Sequence, residues 1–190
     1  MNYYTNMHFN SRILGNILIA ASLIGLNFIY YPFMKEFFFP PQITQAQRIN
    51  TDFSIEIPSQ KIFSKVIPNV DPFDEYEYIE KLKSGVAQAK GTSLPGMKGT
   101  IYMFAHSSDV PWRITRYNTA FFKLEFVKNG DAIIVRKNGT SYIYKVYDKK
   151  TVWPNEVKYL KEDQGDILIL QTCTPIGTAL QRLLVFAKPI

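Results

Sequence analysis

Three side chains that can cooperate in acyl transfer stand in the second half of the chain: the only cysteine, Cys173, the histidine His106, and Arg182 shortly after the cysteine. A thiol attacks a carbonyl carbon as its thiolate, and a nearby imidazolium or guanidinium lowers the thiol pKa from about 8.5. A guanidinium beside such a nucleophile can also hold the oxyanion that forms when the carbonyl is attacked. Metal chemistry is not expected. The only other histidine, His8, lies on the far side of an apolar N-terminal segment, and one His with one Cys falls short of the three or four ligands that zinc takes. No cofactor is called for. The single cysteine also excludes an intramolecular disulfide. By residue type alone, packing explains these positions better than chemistry: a lone Cys in an apolar strand is commonly a small core residue, and an Arg can simply cap a sheet edge.

The elements around these residues are mostly strands. Residues 53–57 and 61–67 alternate apolar and polar side chains, with Pro58 and Pro68 closing the two runs. Residues 72–83 place Tyr76, Ile79 and Leu82 on one helical face. A loop over 91–99, centred on Leu94, Pro95 and Gly96, precedes an apolar strand that runs straight into His106. Asn138-Gly139, between apolar runs at 133–135 and 142–146, is the signature of a tight hairpin, because both residues accept positive φ. A final pair of strands, 166–173 and 182–188, flanks a loop broken by Pro175 and Gly177, so Cys173 ends one strand and Arg182 begins the next. If those strands are neighbours, the two side chains share one sheet edge. Many short strands with one clear helix predict a mostly-β barrel or sandwich.

Composition and the N-terminus set the context. Apolar residues make up 46% and aromatics 15% of 190 residues, enough for one packed domain, and the aromatic bias favours strands. The net charge of +6 is spread over scattered lysines, which argues against a nucleic-acid partner. Residues 13–33 carry no charge and match the roughly 20 residues that span a bilayer as a helix. Signal peptides have a shorter apolar stretch and a small-residue cleavage site, and YYPFMKEFFFPP offers neither. Arg12 before the span points to an inside N-terminus. The expected organisation is therefore a short cytoplasmic N-terminus at 1–12, a single-pass anchor at 13–33, a linker with Pro40 and Pro41 at 34–51, and one domain at 52–190.

Residues 168–187, LILQTCTPIGTALQRLLVFA, resemble the active-site block of sortases, in which T-L-x-T-C is followed by an Arg at the start of an apolar strand; Leu170, Thr172, Cys173 and Arg182 match it. Residues 91–107, GTSLPGMKGTIYMFAHS, resemble the family's Gly-Thr-x-Leu-Pro loop and the strand ending in its histidine. KNGD at 128–131 resembles the start of its middle strands. Two positions depart from the pattern: Ile169 replaces its first Thr, and Ala105 stands where many members have Gly. The order of His before Cys is unlike that of papain-type enzymes.

The resemblance implies a closed eight-stranded β-barrel on a bacterial membrane anchor, with the domain outside the cell. It implies Cys173 as nucleophile, His106 as acid/base partner and Arg182 as stabiliser, with Thr172 and Leu94 as weaker substrate-binding candidates. The implied partners are proteins bearing a Leu-Pro-x-Thr-Gly-like sorting signal and an amine acceptor on an envelope precursor or surface protein. A barrel that binds without catalysing is the alternative from another functional class.

Overall fold

A computed structural model of the chain describes residues 11–39, 51–107 and 120–190. His8 and the two prolines of the expected linker, Pro40 and Pro41, lie outside the described residues. Helix α1 runs over Ser11–Phe38, and its stretch Ser11–Tyr31 is long and apolar enough to cross a membrane. Its apolar side chains stand exposed, Ile24 at 70% and Phe28 at 82%, so it presents a surface that a lipid environment would cover.

The remainder is a barrel of eight strands: β1 (Phe53–Ile57), β2 (Ile62–Val70), β3 (Val86–Ala89), β4 (Ile101–Phe104), β5 (Ala132–Lys137), β6 (Thr140–Val152), β7 (Leu168–Thr174) and β8 (Gln181–Pro189). The order around the wall is β1-β2-β3-β4-β7-β8-β6-β5, and β5 pairs back onto β1, so no strand edge is left open. Two short helices accompany it, α2 (Glu75–Leu82) and α3 (Lys158–Lys161). The Asp74 carboxylate accepts from the Glu77 N–H and starts α2, as an N-cap should.

Side chains alternate across each strand, and the inward set forms the core: Ile55, Met103, Leu168, Leu170, Val185 and Ala187 are completely buried. Burying each such side chain contributes on the order of 1.5 to 3 kcal/mol. The Asn138-Gly139 hairpin is present, with φ of 50° and 79° at its two residues. β2 is longer than expected, because Pro68 does not end it. The strand passes through a register irregularity between Ile67 and Val70, where Asn69 takes a φ of 58° and its N–H donates to the Gln88 carboxamide (2.9 Å). A bulge tolerates proline because it needs no ladder donor there. Strand β3, helix α3 and a 3₁₀ helix at Phe122–Phe126 have no counterpart in the sequence expectations.

Candidate active site

Two ladders meet at the site. In the antiparallel pair β7–β8, Cys173 lies directly opposite Arg182, and such cross-strand neighbours have Cβ atoms about 5 Å apart. In the parallel pair β4–β7, Phe104 is level with Gln171, and the Ala105 N–H continues the ladder onto the Gln171 carbonyl (3.1 Å). β4 ends at Phe104, so His106 follows two residues past the end of the strand that pairs with β7. Cys173 and Arg182 face each other at the end of adjacent strands, and all three residues are half-buried.

Alternation assigns the strand residues a face. Met103, Leu170 and Val185 point into the barrel, so Tyr102 and Phe104 of β4, Ile169, Gln171 and Cys173 of β7, and Arg182, Leu184 and Phe186 of β8 share the outer face. Helix α2 lies over part of that face: Tyr78 meets the Phe104 ring edge-on at 6.3 Å. On the β8 side, Tyr159 of α3 meets Phe186 at 5.5 Å. Between these two aromatic contacts the outer face has a floor of buried Ile169 and Leu184, from which half-buried Gln171, Cys173 and Arg182 emerge.

Several bonds hold the trio in place. The Thr172 hydroxyl donates to the Ala105 carbonyl (2.9 Å), tying the residue before His106 to the residue before Cys173. The Phe121 N–H donates to the His106 carbonyl (3.2 Å) and secures the backbone past the end of β4. At the opposite end of the two strands, Asp163 accepts from the Thr100 hydroxyl (2.9 Å), the Thr100 N–H (3.1 Å) and the Gly165 N–H (3.0 Å), clamping the start of β4 to the loop before β7. One guanidinium nitrogen of Arg182, Nη1, donates to the Ala179 and Gln181 carbonyls (3.0 and 3.2 Å), which steadies the group while leaving Nε and Nη2 for an incoming oxygen.

The electrostatics agree with this geometry. Burial raises the Tyr78 phenol above its ordinary pKa, helped by Glu75; Arg182 acts against the shift and the charge on Cys173 adds to it. Tyr102 is also pushed up, chiefly by burial, with Arg182 again opposing. Among the described residues no group of His, Cys, Asp and Glu is arranged to hold a metal ion.

The two weaker candidates are placed elsewhere. Thr172 is 3% exposed, faces the barrel interior, and its hydroxyl is engaged by Ala105, so it positions strands and does not line the outer floor. Leu94 packs against the core in the loop between β3 and β4, at the far end of β4 from His106. The structure sets Cys173 opposite Arg182, with His106 two residues past the end of the adjacent strand β4, and places Leu94 in the loop before β4. Sequence reasoning passed over Tyr78, Tyr102 and Gln171. For Gln171 the signal was available: a carboxamide inside an apolar strand, two residues before the cysteine and therefore on the same face.

Residues 55–190 match the family model of the sortase domain, and the chain belongs to the sortase family. Members of this family are cysteine transpeptidases, and transpeptidation is the general activity that membership carries. Among solved structures, sortase C-1 from Actinomyces oris is 29% identical, with a TM-score of 0.58 over 73% of this chain and 72% of that one. The lid mutant of sortase A from Corynebacterium diphtheriae is 26% identical, with a TM-score of 0.58 over 74% of this chain and 70% of that one. A sortase D5 transpeptidase from Clostridium perfringens, at 18% identity and a TM-score of 0.59 over 74% of this chain and 79% of that one, shares the fold. No curated protein matches the chain significantly.

Proposed function

We propose that the chain is a membrane-anchored cysteine transpeptidase that cleaves a Leu-Pro-x-Thr-Gly-like sorting signal between Thr and Gly and passes the acyl group to an amine. The observation that supports this reading is the register that sets Cys173 opposite Arg182, with His106 two residues past the end of the neighbouring strand β4. The Cys173 thiolate attacks the Thr carbonyl carbon, and Arg182 holds the oxygen as negative charge gathers on it. The C–N bond breaks, and His106 as imidazolium gives its proton to the departing glycine amine. A thioester on Cys173 remains. The acceptor amine then loses a proton to His106 and attacks the thioester carbon, the C–S bond breaks, and the thiolate is restored. Water in place of the amine gives hydrolysis as a side reaction.

The accepting amine belongs to a cell-envelope precursor or to another surface protein. Residues 13–33 form the single-pass anchor in a bacterial membrane, with 1–12 inside, 34–51 as linker and the catalytic domain 52–190 outside. Helix α1, with its apolar stretch Ser11–Tyr31, supports the anchor. The departures at Ala105 and Ile169 remove no group from the chemistry, because the first supplies only backbone to Thr172 and the second is a buried apolar side chain.

The test is incubation of the full chain, in detergent micelles, with a library of such peptides and an amine acceptor, followed by mass spectrometry of the protein. A peptide acyl group on Cys173 that disappears on adding the amine is the expected result. No adduct from any peptide in the library would remove the transpeptidase reading in favour of a binding barrel.

A further inference from the structure

Gln171 stands on the same face of β7 as Cys173, two residues earlier and thus roughly 6.6 Å along the strand. Its carboxamide is held in one orientation. The Tyr102 hydroxyl donates to Gln171 Oε1 at 2.6 Å. Tyr102 is only 3% exposed, and burial keeps its phenol protonated. The carboxamide oxygen is thereby engaged, while Nε2 has no hydrogen-bond partner among the described residues, and the residue as a whole is half-buried. Its neighbours on the floor, Phe104, Ile169 and Leu184, are apolar. A fixed, unsatisfied donor on an apolar floor beside the nucleophile has the form of a recognition element.

We propose that Gln171 reads the substrate backbone: its carboxamide N–H donates to the peptide carbonyl two residues before the scissile one. This rests on the transpeptidase reading. In an extended peptide, carbonyls two residues apart point to the same side at the spacing of β7 itself, so a scissile carbonyl over Cys173 sets another over Gln171. The acyl half lies on this side because it must stay bound through the thioester stage, whereas the amine half has to leave and be replaced. Beyond Cys173 only Thr174 remains before β7 gives way to the turn, which is where groups can exchange. Tyr102 is the positioning residue that keeps the donor turned outward.

The full chain in detergent is assayed for acylation of Cys173 with two peptides, the normal one and an analogue whose carbonyl two residues before the scissile one is reduced to methylene. Gln171→Leu is expected to raise KM for the normal peptide about tenfold with kcat little changed, the signature of a ground-state hydrogen bond. Tyr102→Phe raises it less, because the donor remains and only its orientation is freed. The methylene analogue should lose about tenfold on the wild type and almost nothing on Gln171→Leu, since the partner is already gone. Alkylation of Cys173 by iodoacetamide at the same rate in both proteins is the control for an intact nucleophile. A wild-type KM in Gln171→Leu, or an equal penalty for the analogue in both proteins, overturns the proposal and leaves the transpeptidase standing. A wild type that accepts no acyl group overturns both.

Discussion

On the inner face of the β4–β7–β8 wall, Met103, Leu168, Leu170, Val185 and Ala187 are completely buried, whereas the outer face of the same strands carries Tyr102, Gln171, Cys173 and Arg182. The two faces alternate residue by residue, so Leu170, Gln171, Thr172 and Cys173 belong in turn to the core, the floor, the core and the site. A slip of one residue in the pairing would exchange them. The close packing of one face is what allows the other to hold half-buried polar groups in fixed places. The Thr172 hydroxyl is the direct link between them, since it faces inward and holds the backbone on which His106 stands.

That contrast can be tested by mutating each face in turn. Cys173→Ala, on the outer face, should abolish every thioester adduct while the melting temperature measured by circular dichroism stays close to that of the wild type. Full turnover in that variant would falsify the assignment of the nucleophile. Leu170→Ala, one face away, should do the reverse. It is expected to cost about 3 kcal/mol in denaturant unfolding, from lost transfer energy and a residual cavity, while the protein that remains folded keeps its kcat.

Arg182→Lys keeps the charge but not the planar fork, and it should lower kcat/KM roughly a hundredfold with stability almost unchanged. Thr172→Val sharpens the comparison because its side chain is on the core face. It should cost about 1 kcal/mol of stability, and it should also lower kcat a few fold by loosening the backbone before His106. A stability loss with wild-type kcat would confine Thr172 to the core.

The smallest effect lies at the far end of the strands, in the clamp at Asp163. The Thr100 hydroxyl first, then the Gly165 and Thr100 N–H groups, hold its carboxyl below the ordinary aspartate value. A carboxyl lowered in the folded state stabilises above its unfolded-state pKa and loses that contribution as pH falls through the folded-state value. Asp163→Asn should therefore melt slightly below the wild type at neutral pH, with the gap closing in strong acid, as scanning calorimetry across pH would show.

Much of this architecture could be read along the chain wherever local chemistry is decisive. Asn138-Gly139 permits the hairpin's positive φ values, and the apolar run ending at His106 shows as a strand. Local reasoning missed β3, because Val86–Ala89 holds alanines and a glutamine that favour no strand until β2 and β4 flank them. It also stopped β2 at Pro68, since only pairing with β3 shows that the irregularity there absorbs the missing donor. Cys173, His106 and Arg182 stood out by family pattern, whereas the Tyr102–Gln171 bond joins residues 69 positions apart and has no local signature.

The sequence by itself determined the candidate nucleophile, as its only cysteine, the alternation that gives β7 two faces, and an apolar helix of bilayer length, because residue type, a period of two and a run of uncharged residues are all local properties. The tertiary structure alone decided that the strand leading to His106 pairs with the strand of Cys173, that Arg182 lies opposite the cysteine, that Thr172 faces inward, and that Leu94 lies at the other end of β4. These depend on the register between strands distant in sequence, which is set by closing the barrel around one shared core and by no residue alone.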